Sequence, residues 1–291
     1  MRRRRFDLSA VFELLLGVPT VLSSLLIVGL AGRAFSLERW WLFPVLWLVS
    51  GVVVFVPAMD RAIAVLALNL RGPTSKERAV LEPLLEEVCG AAGVAPQRYW
   101  LRIENSKEIN AMAVGGHVVA VSTAALALPP KHLEAVLAHE VGHHLAGHTR
   151  ISLLRWWYEL PARAAVRLTL LVGLGIFLAG RKIGTKTAYV ASVLLVVALA
   201  AVAVVASPWV LLVPVIAPLL ALSSRRSELY ADRISAELGY GPMLLEVLQR
   251  WVRQGHDERR ARAGIRARML ASHPSCAQRI SRLHDKKAPR P

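Results

Sequence analysis

The chain has 291 residues, 55% of them hydrophobic, and a formal net charge of +16. Long, nearly uncharged runs at 14–31, 40–58, 168–180 and 188–222 exclude an ordinary soluble domain, because they lack the polar stripe of a surface helix. The positive charge is dispersed and partly flanks those runs, with no nucleic-acid motif, so it suits anionic headgroups and span orientation rather than nucleic acid.

About 20 apolar residues cross a bilayer, so three of the four runs are long enough and 168–180 is borderline. Arg2 to Arg5 followed by an apolar stretch resembles the charged start of a signal peptide. The length of the stretch, the lack of a small-residue cleavage site and the second run close behind predict a retained anchor. The first two runs read as a hairpin, with the arginines inside, 32–39 outside, and Trp40 and Trp41 at an interface. Glu13, near the start of the first span, reads as a snorkelling charge or a functional one. Cys89 and Cys276 make neither a disulfide framework nor a metal-ligand spacing, as suits a reducing compartment.

From Asp60 to about Trp157 the chain turns polar. Thr74-Ser-Lys-Glu77 is a capping box that predicts a helix to about Ala92, ended by Gly93 and Pro96. Tyr99 to Glu104 alternates like a strand, and Ile109–Val114 and His117–Ser122 flank Gly115-Gly116 as a hairpin. Pro129 and Pro130 open a helix through about His148. After 168–180, the run 188–222 is interrupted by Pro208, Pro214 and Pro218, which predicts one span at about 188–206 and then a kinked helix leaving the membrane. Amphipathic stretches follow at Pro242–Gln254 and Ser275–His284.

Within the helix after Pro130 lies His139-Glu140-Val141-Gly142-His143, an H-E-x-x-H motif. Residues four apart on a helix point the same way, so both imidazoles can grip one zinc ion, with Glu140 beside them to take a proton from water. A polar helix with chance histidines is the alternative, but the apolar Leu133–Ala138 stretch would bury this one. His144 and His148 project to the far side of the helix. Thr149 stands where a metzincin has its third histidine and Ala146 where it has its glycine, which excludes that class. The best third ligand is Glu228 in Ser224-Arg-Arg-Ser-Glu-Leu-Tyr-Ala-Asp232, with Asp232 one turn on to hold a ligand imidazole. A solvated face pairing with Arg225 or Arg226 is the competing reading, and Glu159, Glu237, Asp257 and His273 are rival ligands.

These pieces resemble the HtpX-like family of membrane zinc metallopeptidases, related to the CAAX prenyl proteases. The resemblance rests on Asn110-Ala-Met-Ala-Val-Gly115, Leu133 to His143, Ser224 to Asp232, Ser272-His-Pro and Arg279-Ile-Ser-Arg-Leu283. It implies a mainly α fold with a small β-sheet, a multi-pass membrane protein carrying a zincin-like (gluzincin) catalytic domain. It implies one Zn2+ per chain, held by His139, His143 and Glu228, with Glu140 as general base and Asp232 behind a ligand imidazole. It points to His273 as an oxyanion partner, against a helix-capping reading before Pro274. Asn110 and Ala111 would open a strand that pairs with the substrate backbone. Leu229 departs from the aromatic residue that usually follows the third ligand, leaving the ligand itself intact.

The expected layout is an N-terminal transmembrane hairpin at 1–59, a cytosolic catalytic part with the H-E-x-x-H helix at 60–160, a second hairpin with a kinked exit helix at 161–222, and a cytosolic part with the third ligand at 223–291. Because His143 and Glu228 must meet, an even number of spans separates them. Arg181, Lys182 and Lys186 then fall in an outer loop, against the positive-inside trend; the alternative hairpin, 188–206 with 209–222, needs a two-residue turn at Ser207-Pro208. The resulting expectation is a multi-pass protein of the cytoplasmic membrane whose cytoplasm-facing site hydrolyses protein substrates, membrane proteins among them, in quality control. Its partners are those substrates and the lipid bilayer. A catalytically silent scaffold or chaperone is the rival that an intact Glu140 opposes, and CAAX-type processing is the rival that the small number of spans opposes.

Overall fold

The computed structural model describes residues 8–206, 208–262 and 273–284. Arg2 to Arg5 and Ser272 lie outside the described residues. The chain forms two compact units, one from 1–14, 52–154 and 218–291, the other from 15–51 and 155–217. It is mainly helical with one three-stranded sheet.

The apolar run 40–58 is not one straight helix: α2 (Leu42–Ser50) passes into a 3-10 turn over Gly51–Phe55, and α3 (Pro57–Ala62) starts afresh. Val56 is extended (φ −80°, ψ 124°) because the Pro57 ring disfavours a helical residue before it. Further on, α4 (Ser75–Ala92) begins at a complete capping box. The Glu77 amide donates to Thr74 Oγ1 (3.3 Å), and the Thr74 amide donates to Glu77 Oε2 (2.7 Å). The Arg71 guanidinium forks onto the same carboxylate at 2.6 and 2.7 Å. Gly93, at φ +68°, ends the helix in a conformation that suits glycine.

The sheet holds β1 (Trp100–Glu104), β2 (Ala111–Val114) and β3 (Val118–Ser122). β3 lies in the middle, parallel to β1 and antiparallel to β2, and is buried along its whole length. Val119 and Val121 face the main core with Leu81, Leu85, Leu133, Leu137 and Leu248, while Val118 and Ala120 face a smaller cluster with Ala64 and Leu70. The alternation is the strand's two-residue period. At the β2–β3 turn, Gly115 has φ +59° and sits so close to Asp60 that no side chain would fit. Asp60 accepts from the Gly116 amide (2.9 Å) and pairs with His117 Nδ1 (2.7 Å).

The helix α5 (Pro130–Ala146) starts on its proline and stops at Gly147 (φ +74°). Every residue from Leu133 to Gly142 is buried, and the helix packs against α4, β2 and α9 (Gly241–Arg253). The polar half of α8 (Val213–Glu237) carries the Ser224–Asp232 segment, and α11 (Cys276–His284) packs on α9. Between α9 and α11 the described chain also forms α10 (His256–Arg262), whose Asp257 accepts the Cys276 and Ala277 amides at the start of α11.

The second unit is helical. It contains most of α1 (Leu8–Phe35), α2, the greater part of α6 (His148–Ile183) and α7 (Lys186–Ala206). The α6 helix begins at His148, directly after Gly147, and so merges the polar stretch before Trp157 with the run at 168–180. Pro161 within it has no N–H, and the Ala162 amide beside it donates to Ser24 Oγ of α1 (3.2 Å). The Trp157 indole donates to Ser50 (2.9 Å) and stacks on Trp47, and the Tyr158 hydroxyl donates to the Leu48 carbonyl (2.7 Å). By length and composition α6, α7 and Val11–Phe35 could each cross a membrane; Leu42–Phe55 with Pro57–Ala67 adds a fourth only if that bent pair is one span. Their outward leucines and valines are exposed, as lipid-facing side chains are.

Candidate metal centre

On α5, His139 and His143 stand one turn apart with ring centroids 4.9 Å apart and edge to face. Glu228 comes up from α8. Its Oε2 lies 3.4 Å from His139 Nε2 and its Oε1 3.4 Å from His143 Nε2. Gly142 lets α8 come this close without crowding, because a Cβ there would stand 3.1 Å from the Ala231 carbonyl oxygen and 3.4 Å from Ile234. The motif's glycine is therefore a packing surface for the helix that brings the carboxylate.

Among the described residues, His139, His143 and Glu228 form the one group of three potential ligands whose donor atoms all lie within 4.8 Å of each other. Two imidazoles and a carboxylate are a catalytic zinc donor set. With metal–ligand bonds of about 2.0–2.1 Å at tetrahedral angles, ligand atoms stand roughly 3.3 Å apart, and the two 3.4 Å separations agree. They are also longer than charge-assisted hydrogen bonds. The donor set fits zinc.

Behind His139, Nδ1–H donates to Asp232 Oδ1 at 2.8 Å, which fixes the tautomer and leaves Nε2 facing Glu228. Asp232 in turn receives a fork from Arg279, Nη2 to Oδ1 at 2.6 Å and Nε to Oδ2 at 2.8 Å. Asp232 and Arg279 are both buried. Burial alone would raise the Asp232 carboxyl, but the Arg279 cation and the His139 hydrogen bond outweigh it and hold it at about 2. Glu140 is buried on the same helix, and its carboxyl is pushed up, chiefly by burial. His273 is exposed, with Nδ1 3.2 Å from Glu228 Oε1. The start of α11 is instead capped by Ser275 and Asp257, so His273 is not its cap.

Asn110 stands just before β2. Its amide donates to Ser122 Oγ (3.0 Å) and its side chain to Glu104 (3.0 Å). Ala111 is the first residue of β2, an edge strand that packs against α5. The rival ligands are engaged elsewhere: Glu159 with Arg155 and Arg163, Glu237 with Arg233, and Asp257 at α11. His144 donates through Nε2 to the Val118 carbonyl (2.9 Å), and burial drives its pKa down to about 4. His148 pairs with Glu13, which also accepts from Ser152. Burial raises the Cys89 thiol to about 11. Arg279 opens one of the segments that carry the resemblance, but sequence reasoning assigned it no role at the site. The available signal was its phase, because Cys276, Arg279 and Leu283 share one buried face of α11.

An H-E-x-x-H helix joined by a glutamate from a later helix is the arrangement of a gluzincin. A family model, peptidase family M48, matches residues 75–287. The chain belongs to that family, whose members are zinc metallopeptidases. Among solved structures it is similar to Ste24p of S. mikatae, at 16% identity and a TM-score of 0.46, over 89% of this chain and 61% of that one. The chain thus spans less than two thirds of that protein's length. No curated protein matches it.

Proposed function

We propose that the protein is a membrane-bound endopeptidase that uses one zinc ion per chain to hydrolyse peptide bonds of protein substrates, membrane proteins among them, in quality control. The observation that carries this reading is the meeting of His139, His143 and Glu228, with Glu140 buried beside them. A bound zinc ion supplies Lewis-acid polarisation of the scissile carbonyl and of water. His139 and His143 would hold it through Nε2 and Glu228 through its carboxylate, while Asp232 and Arg279 keep the His139 ring in register. Glu140 takes the proton of the attacking water and returns it to the leaving amine. Burial suits that role, because a raised carboxyl pKa brings a general base nearer neutral pH. His273, exposed and within reach of Glu228, donates to the oxyanion that forms at the carbonyl. The edge of β2 from Asn110 and Ala111 receives the substrate backbone by strand addition.

The site's place is the cytoplasmic side of the cell membrane. Support comes from the helix pair α6 and α7 between the ligand segments and from the cations Arg150, Arg155, Arg163 and Arg167 that precede the apolar part of α6. The test is casein cleavage by the detergent-purified protein, with and without chelator, beside Glu140→Gln and Glu228→Ala. Glu140→Gln should retain zinc and lose at least about 100-fold in rate, the share of a general base; Glu228→Ala should lose the zinc itself. Cleavage that persists undiminished in all four samples refutes the assignment.

A further inference from the structure

A cavity of about 350 Å3, lined by none of the metal-centre residues, lies between α4 and the start of β1. Its lining combines Arg61, Arg78 and Arg102 with Glu82, Glu86 and the indole of Trp100. Arg78 and Glu82 satisfy each other at 3.2 Å. The Arg61 guanidinium carbon stands over the Trp100 ring, 3.8 Å from its centroid, and pairs with no carboxylate among the described residues. The Arg102 Nε–H is buried and has no hydrogen-bond acceptor among the described residues. A buried guanidinium N–H without an acceptor is costly, and beside a guanidinium that pairs with no carboxylate it calls for an anionic acceptor. Two guanidiniums at one cavity match the oxygens of a phosphate, which accepts forked hydrogen bonds.

The surroundings add an apolar side. Ala64 and Leu70 are buried in the cluster that holds Trp100, while Val65, Leu66 and Leu68 between them are exposed, Leu66 by 84%. An exposed aliphatic ridge on the segment that carries Arg61 is what acyl chains cover beside a bound headgroup. We propose that this cavity binds a phosphate group through Arg61 and Arg102, presented by an anionic lipid headgroup or by a free phosphate ester. The site is independent of peptide hydrolysis and stands whether or not the chain is a peptidase.

The test uses the full chain purified in a neutral detergent, titrated with dioctanoyl phosphatidylglycerol, with glycerol phosphate and with dioctanoylglycerol, which lacks phosphate. Thermal unfolding should rise by about 5 °C at saturating phosphatidylglycerol. A matching rise with glycerol phosphate assigns the site to the phosphate alone, and a rise with the lipid only assigns it to a headgroup with its chains. Arg102→Gln and, separately, Arg61→Gln should each weaken the midpoint about tenfold. Arg61 is exposed, so its variant tests the site without threatening the fold. The proposal is overturned if dioctanoylglycerol shifts unfolding as much as the phospholipid, if no phosphate probe shifts it, or if both variants respond as the wild type does.

Discussion

Arg279→Met isolates what the buried cation behind the metal centre contributes. Methionine has similar reach and no charge, so the change removes the two hydrogen bonds to Asp232, at 2.6 and 2.8 Å, while filling most of the space. Asp232, only 2% exposed, then keeps a single strong partner, His139 Nδ1. Deleting one member of a buried ion pair costs about 3–5 kcal/mol, because the survivor stays desolvated without its counter-charge. Adding Asp232→Asn removes the stranded charge and should restore about 1–3 kcal/mol, the size of coupling found between contacting residues. Zinc affinity should behave differently. The ring of His139 is oriented by the Asp232–Arg279 pair, and loss of such support costs about 10–100-fold in metal binding. The asparagine amide carries no charge, so the double variant should recover stability without recovering affinity. Thermal unfolding of the zinc-stripped protein reads the first quantity, and chelator competition reads the second. A double variant no more stable than Arg279→Met, or an Arg279→Met protein with wild-type zinc affinity, would refute the reasoning.

Gly142→Val should destabilise by about 1–3 kcal/mol and weaken zinc binding, since its side chain meets the Ala231 backbone and pushes α8 from α5. Gly142→Ala should lie within about 1 kcal/mol of wild type, because the gain in helix propensity offsets a contact of 3.1 Å; unfolding and chelator competition check both, and a wild-type-like valine variant would dispose of the close-approach argument. At Glu77 the Arg71 hydrogen bond, with the Thr74 amide, lowers the carboxyl from 4.5 to about 2. A depressed folded-state pKa gives stability that is complete above about 4.5 and is lost as pH falls towards 2. The stability difference between wild type and Glu77→Gln should therefore be present at pH 7 and shrink across that window, and a pH-independent difference would count against the ion pair.

Local chemistry was the legible part of the sequence. The Thr74–Glu77 box, the Gly93 stop, the glycine turn after β2 and the H-E-x-x-H spacing are each set by a few neighbouring residues, and the structure places each element within a residue or two of its expectation. Less legible was where neighbouring segments join or break. The polar stretch after His148 continues as one helix with the apolar run at 168–180, because its charges pair along the helix, Glu159 with Arg155 and Arg163. The run 40–58 looks uniform in hydropathy, yet one X–Pro step at Val56–Pro57 divides it. Arg279 starts a recognisable segment, but its role appears only once Asp232, on another helix, is seen to face it.

The closure of the metal centre also constrains what lies between its halves. His143 ends one ligand segment and Glu228 begins the other, yet they are within 3.4 Å. Any chain that leaves one side of a membrane after His143 must return to it before Glu228, so the number of crossings between them is even whatever the charges say. Among the described helices in that interval, α6 and α7 are long and apolar enough to cross. The 36 residues of α6 extend about 54 Å, well beyond the roughly 30 Å hydrocarbon core, so its first turns, with Arg150 and Arg155, need not enter lipid. After α7 a short 3-10 turn at Pro208–Leu212 leads into the proline-bearing start of α8. Arg181, Lys182 and Lys186, which oppose this arrangement by charge alone, sit at the joint of α6 and α7. Their cost is a bias of insertion energetics, a few kcal/mol at most. Parity is a matter of connectivity: it requires an even number of crossings, which α6 with α7 meets and which the pair 188–206 with 209–222 would meet as well.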